Sequence, residues 1–336
     1  MPHRLLINLI DVAERANLAD AVFLAAKGKR RRAGVRQFLA GVDDHLNRLS
    51  DSVLTETYVP DPLREFVIHD PKRRTIHAPT FRDRVLHHAI ILQAGPQMDR
   101  TLIDDSFACR SGKGPIAAVM RAQHFSRRFP WFLKGDLASY FHSINHELLL
   151  ERLNRRFKGA GFRDLLRRVV SGFQTRPGTG LPIGALTSQY FANLYLNDAD
   201  RWLIARQNVC AYVRYMDDMI CWFATKDAAL NTLAELKEFL SEYLVLTLKP
   251  GSQVNRTACG ISFCGHRIFP GIIRLTARRG HLYRKACRRW ERRFLNGEVS
   301  ASDLQNGYAS AYSITKHADS VEWRRRRLEQ HMLDEI

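Results

Sequence analysis

The chain has 336 residues, 45% of them hydrophobic and 26% charged, a balance that excludes a disordered protein and suffices for two or three packed substructures. Fifty-two lysines and arginines stand against 34 acidic residues, a net charge of +18, which repels itself unless a polyanion is near and makes nucleic acid the leading partner. Six scattered cysteines (Cys109, Cys210, Cys221, Cys259, Cys264, Cys287) lack the dense spacing of a secreted disulfide framework and are expected to be reduced thiols in a cytoplasm.

In chain order, the apolar stretch Leu5-Leu6-Ile7-Asn8-Leu9-Ile10 stops at Asp11. It is well short of the roughly 18 apolar residues of a membrane span, so a soluble chain without a targeting segment is expected. Leu5, Leu9, Val12 and Ala16 share one face of a predicted helix within the first forty residues. The basic run Lys27, Lys29, Arg30, Arg31, Arg32, Arg36 reads either as a solvated helix end or as a phosphate contact, with Lys29 and Arg30 as nucleic-acid-binding candidates.

REFVIHDPKRRTI, from Arg64 to Ile76, predicts two short strands turning at Asp70-Pro71. Lys72, Arg73 and Arg74 then reach the hairpin tip or its exit, where three cations suit a triphosphate; an exposed, solvated turn is the plain alternative. Val85, Ala89 and Leu92 place Phe81 to Gln93 in helical register, and SFACRSGKGPIAA (Ser106 to Ala118) enters a further helix through a glycine-bearing loop. The spacing is not that of a P-loop. Gly112 and Gly114 suit a turn or the close approach of a nucleic acid strand, with Arg110 and Lys113 as contacts.

WFLKGDL (Trp131 to Leu137) is a short apolar strand ending in an acid, and Asn145 caps a following helix. A Pro- and Gly-rich loop at 176–184 precedes an apolar helix from about Ala185 to Leu203, whose Ser188, Gln189, Asn193 and Asn197 require partners. AYVRYMDDMICWF (Ala211 to Phe223) sets Asp217 and Asp218 between two β-rich runs. Adjacent carboxylates raise each other's pKa; a divalent cation of the magnesium or manganese kind relieves that repulsion. A plain Asp-Asp turn is the alternative, and Asp136 at another strand end weakens it.

Lys226 to Tyr243 predicts a helix, Lys249 follows a strand in LTLKPGS, and ISFCGHRIF (Ile261 to Phe269) alternates like a strand or hairpin. Cys259, Cys264 and His266 lack a fourth ligand at zinc-finger spacing, which favours strand residues of a buried hairpin. Arg278 to Arg293 packs eight lysines and arginines, among them Arg284, Lys285 and Arg288, opposite a helix face marked by Leu282, Ala286 and Trp290; Arg324 to Arg327 forms a second cluster. Such helices suit a duplex backbone, or else an acidic protein partner.

Asp136, Asp217 and Asp218 together can hold two metal ions for in-line displacement at phosphorus, one acidifying a primer 3′-hydroxyl and one binding the triphosphate, while Lys72 and Arg74 steady the charge. Tyr215-Met216-Asp217-Asp218, preceded by DLASYF from Asp136 to Phe141, resembles the active site of reverse transcriptases, and the resemblance runs in the family's order over roughly residues 27 to 320. It implies an α/β (α+β) right-hand polymerase with fingers, palm and a short helical thumb. The N-terminal extension and fingers would take 1–130, the palm 131–270 with an interleaved fingers segment near 150–185, and the basic thumb 271–336.

By the same resemblance Asp136, Asp217 and Asp218 are ligands of two Mg2+ ions, with Mn2+ as a substitute. Lys72 and either Arg73 or Arg74 contact the triphosphate, Phe141 excludes a ribose 2′-hydroxyl, Lys249 protonates the leaving pyrophosphate, and Gly265 belongs to the primer grip. A core Phe beneath the strand is the competing reading of Phe141. LPIGALTSQ (Leu181 to Gln189) departs from the retroviral and group II intron pattern, since Ile183 stands where Gln precedes Gly184 and Gln189 stands where Pro commonly follows the serine.

The I-G-x-x-x-S-Q form, with GKRRR and TKHADS (Thr315 to Ser320), resembles the reverse transcriptases of diversity-generating retroelements. These copy a template-repeat RNA into adenine-mutagenised cDNA that rewrites a target gene, a mutagenic retrohoming. The resemblance implies template RNA, primer, cDNA and deoxynucleoside triphosphates as partners and an accessory variability determinant protein; the cysteine pattern and the short apolar stretch add the expectation of a cytoplasmic location and no membrane. Retron, group II intron and phage-defence enzymes share the catalytic strings, and no maturase or endonuclease extension is recognised. The three intact aspartates oppose a catalytically dead nucleic-acid-binding scaffold.

Overall fold

The computed structural model describes residues 4–69 and 73–329. The chain opens with strand β1 (Leu5–Leu6) and helices α1 (Leu9–Ala13), α2 (Arg15–Ala26), α3 (Ala33–Ala40) and α4 (Val42–Leu54). The expected helix is therefore broken. Asn8, Glu14, Lys27 and Arg32 all adopt extended ψ values between 121° and 159°, and the Asn8 amide donates to Asp11 Oδ2 at 2.6 Å, which starts α1 at Leu9. Leu5 is exposed and pairs in parallel with Phe157. The basic run thus begins in the turn between α2 and α3.

The hairpin of β2 (Arg64–Ile68) and β3 (Arg74–Ala78) follows, with Ile68 opposite Arg74; Lys72, expected at its tip, lies outside the described residues. Next come α5 (Phe81–Thr101), α6 (Pro115–Ser126), β4 (Trp131–Asp136), α7 (Tyr140–Ser143), α8 (His146–Asn154), β5 (Phe157–Lys158), α9 (Ala160–Ser171) and α10 (Leu186–Ile204). The YMDD segment is a hairpin of β6 (Ala211–Tyr215) and β7 (Asp218–Phe223). Then come α11 (Lys226–Leu244), β8 (Gln253–Arg256), β9 (Ile261–Phe263), β10 (His266–Ile268), β11 (Ile273–Leu275), α12 (Ala277–Leu295), α13 (Ala301–Tyr312) and α14 (Val321–Glu329).

Two compact units divide the chain. The first, Met1–Asp104 with Asp136–Ala205 and Ala234–Pro250, is mostly helical. Thr80 caps α5 by accepting from the Asp83 amide, and α5 presents Val85, Leu86, Ala89 and Ile90 to the core, whereas Leu92, expected on that face, is exposed. Buried Asn17 of α2 donates to Val12 O at 2.8 Å and accepts from Gln93 of α5 at 3.0 Å, so its polar atoms are satisfied. Asn145 caps α8 as expected, accepting from the Leu148 amide at 3.0 Å. On α10, buried Asn197 donates to Thr101 O at 3.1 Å.

The second unit comprises Asp105–Gly135, Arg206–Leu233 and Gly251–Ile336. Its main sheet has the order β6-β7-β4-β8, and β9, β10 and β11 form a separate antiparallel sheet. Phe132, Val213, Ile220 and Trp222 from the first sheet and Ile261, Phe263 and Ile268 from the second join Val119, Ala122 and Phe125 of α6 in one core. Trp222 donates its indole N–H to Ser126 Oγ at 3.2 Å. Of the strand and hairpin readings of residues 261–268, the structure has the hairpin, β9 paired with β10. On α12 the buried residues are Gly280, Tyr283 and Cys287, so the inner face is turned from the Leu282, Ala286 and Trp290 stripe, and those three are only partly buried.

Candidate active site

In the first unit a backbone ladder assembles the residues expected at the nucleotide. Leu181 N donates to Phe141 O at 2.7 Å and Gly180 N to Ile144 O at 2.8 Å, which fastens the 180–184 loop to α7. At its other end His77 N of β3 donates to Ile183 O at 2.9 Å. Gly184 has φ +126°, and a Cβ there would stand 2.9 Å from Ile76 Cγ2, so only glycine fits this approach of loop to strand. Phe141, Ile183 and the strand that carries Arg74 are thus held in one backbone network. Phe141 lies in α7 after the strand and is half-buried. Gln189 is half-buried on α10.

Asp136 closes β4. Its carbonyl accepts from Lys249 N at 2.8 Å, Ala138 N donates to Thr247 O at 2.8 Å, and Leu137 bridges Leu248 antiparallel. Lys249, expected just beyond a strand, instead follows this isolated bridge. The pairing delivers its ammonium to Asp136 Oδ2 at 2.6 Å.

In the second unit Tyr215 pairs with Asp218 across a turn of Met216 and Asp217. Met216 has φ 55°, uncommon for a residue with a side chain. Fully buried Arg214 braces it: Nη1 donates to Met216 O at 3.0 Å, while Arg214 N donates to Asp105 O and Arg214 O accepts from Phe107 N, both at 2.9 Å. Asp218 Oδ2 is 3.2 Å from the Lys134 ammonium, and Lys134 also donates to Ser262 O at 2.5 Å. Burial first, then the Asp218 carboxylate, pushes the Cys264 thiol up to about 12.

Cys264 and Gly265 form the β9–β10 turn, both with positive φ, and Gly265 O accepts from Thr276 Oγ1 at 3.1 Å. Buried His266 turns its ring to Arg279 at 3.1 Å; burial and that guanidinium push its pKa down to about 4. Arg110 donates to Ser106 O at 2.9 Å, and the Lys113 ammonium sits over the Phe107 ring at 5.2 Å. Lys285 and Arg288 are exposed on α12; Arg284 is half-buried and lines a cavity with Trp323 and Asp319. In the first unit Lys29 and Arg30 lie in the α2–α3 turn.

Among the described residues no three His, Cys, Asp or Glu side chains converge as a ready-made cation cage. The chemistry of the donors nevertheless suits a hard divalent ion: Asp136 in the first unit and Asp218 in the second each offer carboxylate oxygens of the kind such an ion takes, and each draws an ammonium to ion-pair distance. Lys134 and Arg214 were not among the residues expected at the site. Their signal was a charge inside an apolar strand: Lys134 is two residues before Asp136, hence on the same strand face, and Arg214 directly precedes Tyr215.

A family model described as reverse transcriptase (RNA-dependent DNA polymerase) matches residues 69–251. Protein YkfC of Escherichia coli (strain K12) is 25% identical over 327 residues, covering 82% of this chain and 85% of that protein. The group II intron-encoded protein LtrA of Lactococcus lactis subsp. cremoris is 23% identical over 171 residues, 48% of this chain and 28% of its own length. A putative COX1/OXI3 intron 1 protein of Saccharomyces cerevisiae is 26% identical over 168 residues, 47% of this chain and 20% of its own. The chain therefore spans most of YkfC and less than a third of the two intron proteins.

Proposed function

The chain belongs to the reverse transcriptase (RNA-dependent DNA polymerase) family, and from that premise we propose that Asp136, Asp217 and Asp218 are the catalytic carboxylates with which it extends a primer along an RNA template. Membership makes it an RNA-directed DNA polymerase. The observation that carries the residue assignment is the β6–β7 hairpin, in which Asp217 lies in the two-residue turn and Asp218 opens β7; Asp136 is the acid that ends strand β4.

When bound at these carboxylates, two magnesium ions, or manganese in their place, supply charge neutralisation at the attacking 3′-oxygen and at the leaving pyrophosphate. The remaining roles fall to the chain itself. Lys72 and Arg74 draw the triphosphate to the β2–β3 hairpin, and Lys249 provides a proton for the pyrophosphate. Phe141 fills the space of a ribose 2′-hydroxyl, and Ile183, Gly184 and Gln189 border the nucleotide. Arg214 holds the turn on which Asp217 sits. Fingers, palm and thumb are assigned to 1–130, 131–270 and 271–336, with template and primer on Lys29, Arg30, Arg110, Lys113, Gly265, Arg284, Lys285 and Arg288.

Within the family, Ile183-Gly184 and Ser188-Gln189 support the diversity-generating type: a template-repeat RNA, errors at template adenines, and an accessory variability determinant protein. An aliphatic Ile183 withdraws a hydrogen bond that glutamine would offer, which loosens geometric selection of the base pair. The relatives named for introns support a second reading, an intron-type reverse transcriptase. Primer extension on RNA with magnesium and deoxynucleotides, beside an Asp217→Asn, Asp218→Asn control and with every product sequenced, separates them. Extension lost in the control supports the carboxylates; errors clustered at adenines support the first reading and faithful cDNA the second. Ile183→Gln is expected to lower misincorporation opposite adenine, and an unchanged error spectrum refutes that role.

A further inference from the structure

Lys134 takes no part in the chemistry proposed above, yet it contacts one of the carboxylates. It projects from β4 between buried Leu133 and buried Gly135, and its side chain is only 19% exposed. An ammonium in such a place is costly unless its hydrogen bonds are used. Two partners use them: Asp218 Oδ2 at 3.2 Å and Ser262 O of β9 at 2.5 Å. The first belongs to a carboxylate assigned above to a divalent ion, and one carboxylate cannot serve an ammonium and such an ion at full strength.

We propose that Lys134 is a positioning residue, the resident counter-ion of Asp218, which exchanges this carboxylate for a divalent cation while keeping its bond to Ser262. The proposal rests on the metal-binding reading of Asp218. In the exchange the Lys134–Asp218 ion pair gives way to an Asp218–metal contact; no proton moves and no covalent bond changes. The ammonium keeps the carboxylate aligned with the β9–β10 hairpin before the ion arrives, and its competition sets a ceiling on metal affinity.

The test uses the full chain with Mn2+ as the probe and neither nucleotide nor nucleic acid, so that the readout does not depend on turnover. Binding is followed by electron paramagnetic resonance and by the rise in thermal midpoint at saturating Mn2+. Lys134→Met is expected to bind Mn2+ about tenfold tighter, an ordinary size for coupling between two ligands of one group, and to gain a larger thermal shift. Lys134→Arg, which keeps the charge, is expected to stay near the native affinity. If Lys134→Met does not fold, Lys134→Gln, which keeps a donor for Ser262 O without the charge, carries the same comparison. A native or weaker Mn2+ affinity in the uncharged variant overturns the proposal. Native binding that survives Asp218→Asn overturns instead the metal reading on which it rests.

Discussion

Replacing Gly184 by alanine tests how the loop carrying Ile183 is held, without removing any charged or hydrogen-bonding side chain. At φ +126° a residue with a Cβ pays about 1–3 kcal/mol of backbone strain. The new methyl would also stand 2.9 Å from Ile76 Cγ2 and 3.4 Å from His77 O, and such overpacking adds on the order of 1 kcal/mol or more. Holding the native loop therefore costs about 2–4 kcal/mol. Lifting it off β3 relieves both terms and gives up the His77 N to Ile183 O bond of 2.9 Å, a net loss of about 1 kcal/mol.

The cheaper route wins, so the fold survives and the loop moves. Gly184→Ala is expected to lower stability by about 1–2 kcal/mol in urea denaturation and to raise the KM for the incoming deoxynucleotide roughly tenfold while kcat falls less. An unchanged urea midpoint together with a KM within twofold of native would refute the clamp of this loop on β3. Lost stability with an unchanged KM would make the clamp structural and separate it from the nucleotide.

Three further perturbations are as direct. Phe141→Ala is expected to cut the preference for deoxynucleotides over ribonucleotides by roughly tenfold or more in kcat/KM; an unchanged ratio removes Phe141 from the gate. His87 is held to about 4 by burial, with His88 and Arg84 adding repulsion, against an ordinary 6.5. The unfolded chain takes up that proton first, so this share of stability is complete above pH 6.5 and is lost as pH falls toward 4; His87→Gln should flatten the decline of the urea midpoint between pH 7 and pH 5, and an identical slope refutes it. Lys285→Gln with Arg288→Gln, both exposed on α12, should reduce the salt dependence of duplex binding, log K against log salt, by about two, and an unaltered slope places the duplex elsewhere.

Much of this protein is written locally. β-rich runs on either side of Asp70-Pro71 and of Met216-Asp217 identify two hairpins, WFLKGDL ends a strand in an acid, and Asn145 marks the start of α8. Adjacent carboxylates in a strand turn raise each other's pKa and favour a nearby counter-charge, so Asp217 and Asp218 stood out as site candidates from the sequence, with a plain Asp-Asp turn as the alternative. The glycine of LPIG could be read as a turn residue, yet its necessity came from Ile76, a partner more than a hundred residues earlier in the chain.

The sequence by itself determined the two hairpins, most of the longer helices and the reaction class, because periodicity and residue chemistry act over a few neighbouring positions; it did not show strand β1 at Leu5–Leu6, where a helix was expected. Only the tertiary structure decided which distant backbones satisfy one another: Leu5 pairs with Phe157, Lys249 with Asp136, and Arg214 with the 105–107 segment. Lys134 likewise owes its two partners, Asp218 and Ser262, to strands brought beside β4 and to the β9 hairpin. A buried donor or charge must find a partner, but nothing local specifies which one; that choice belongs to the packing that brings remote strands together.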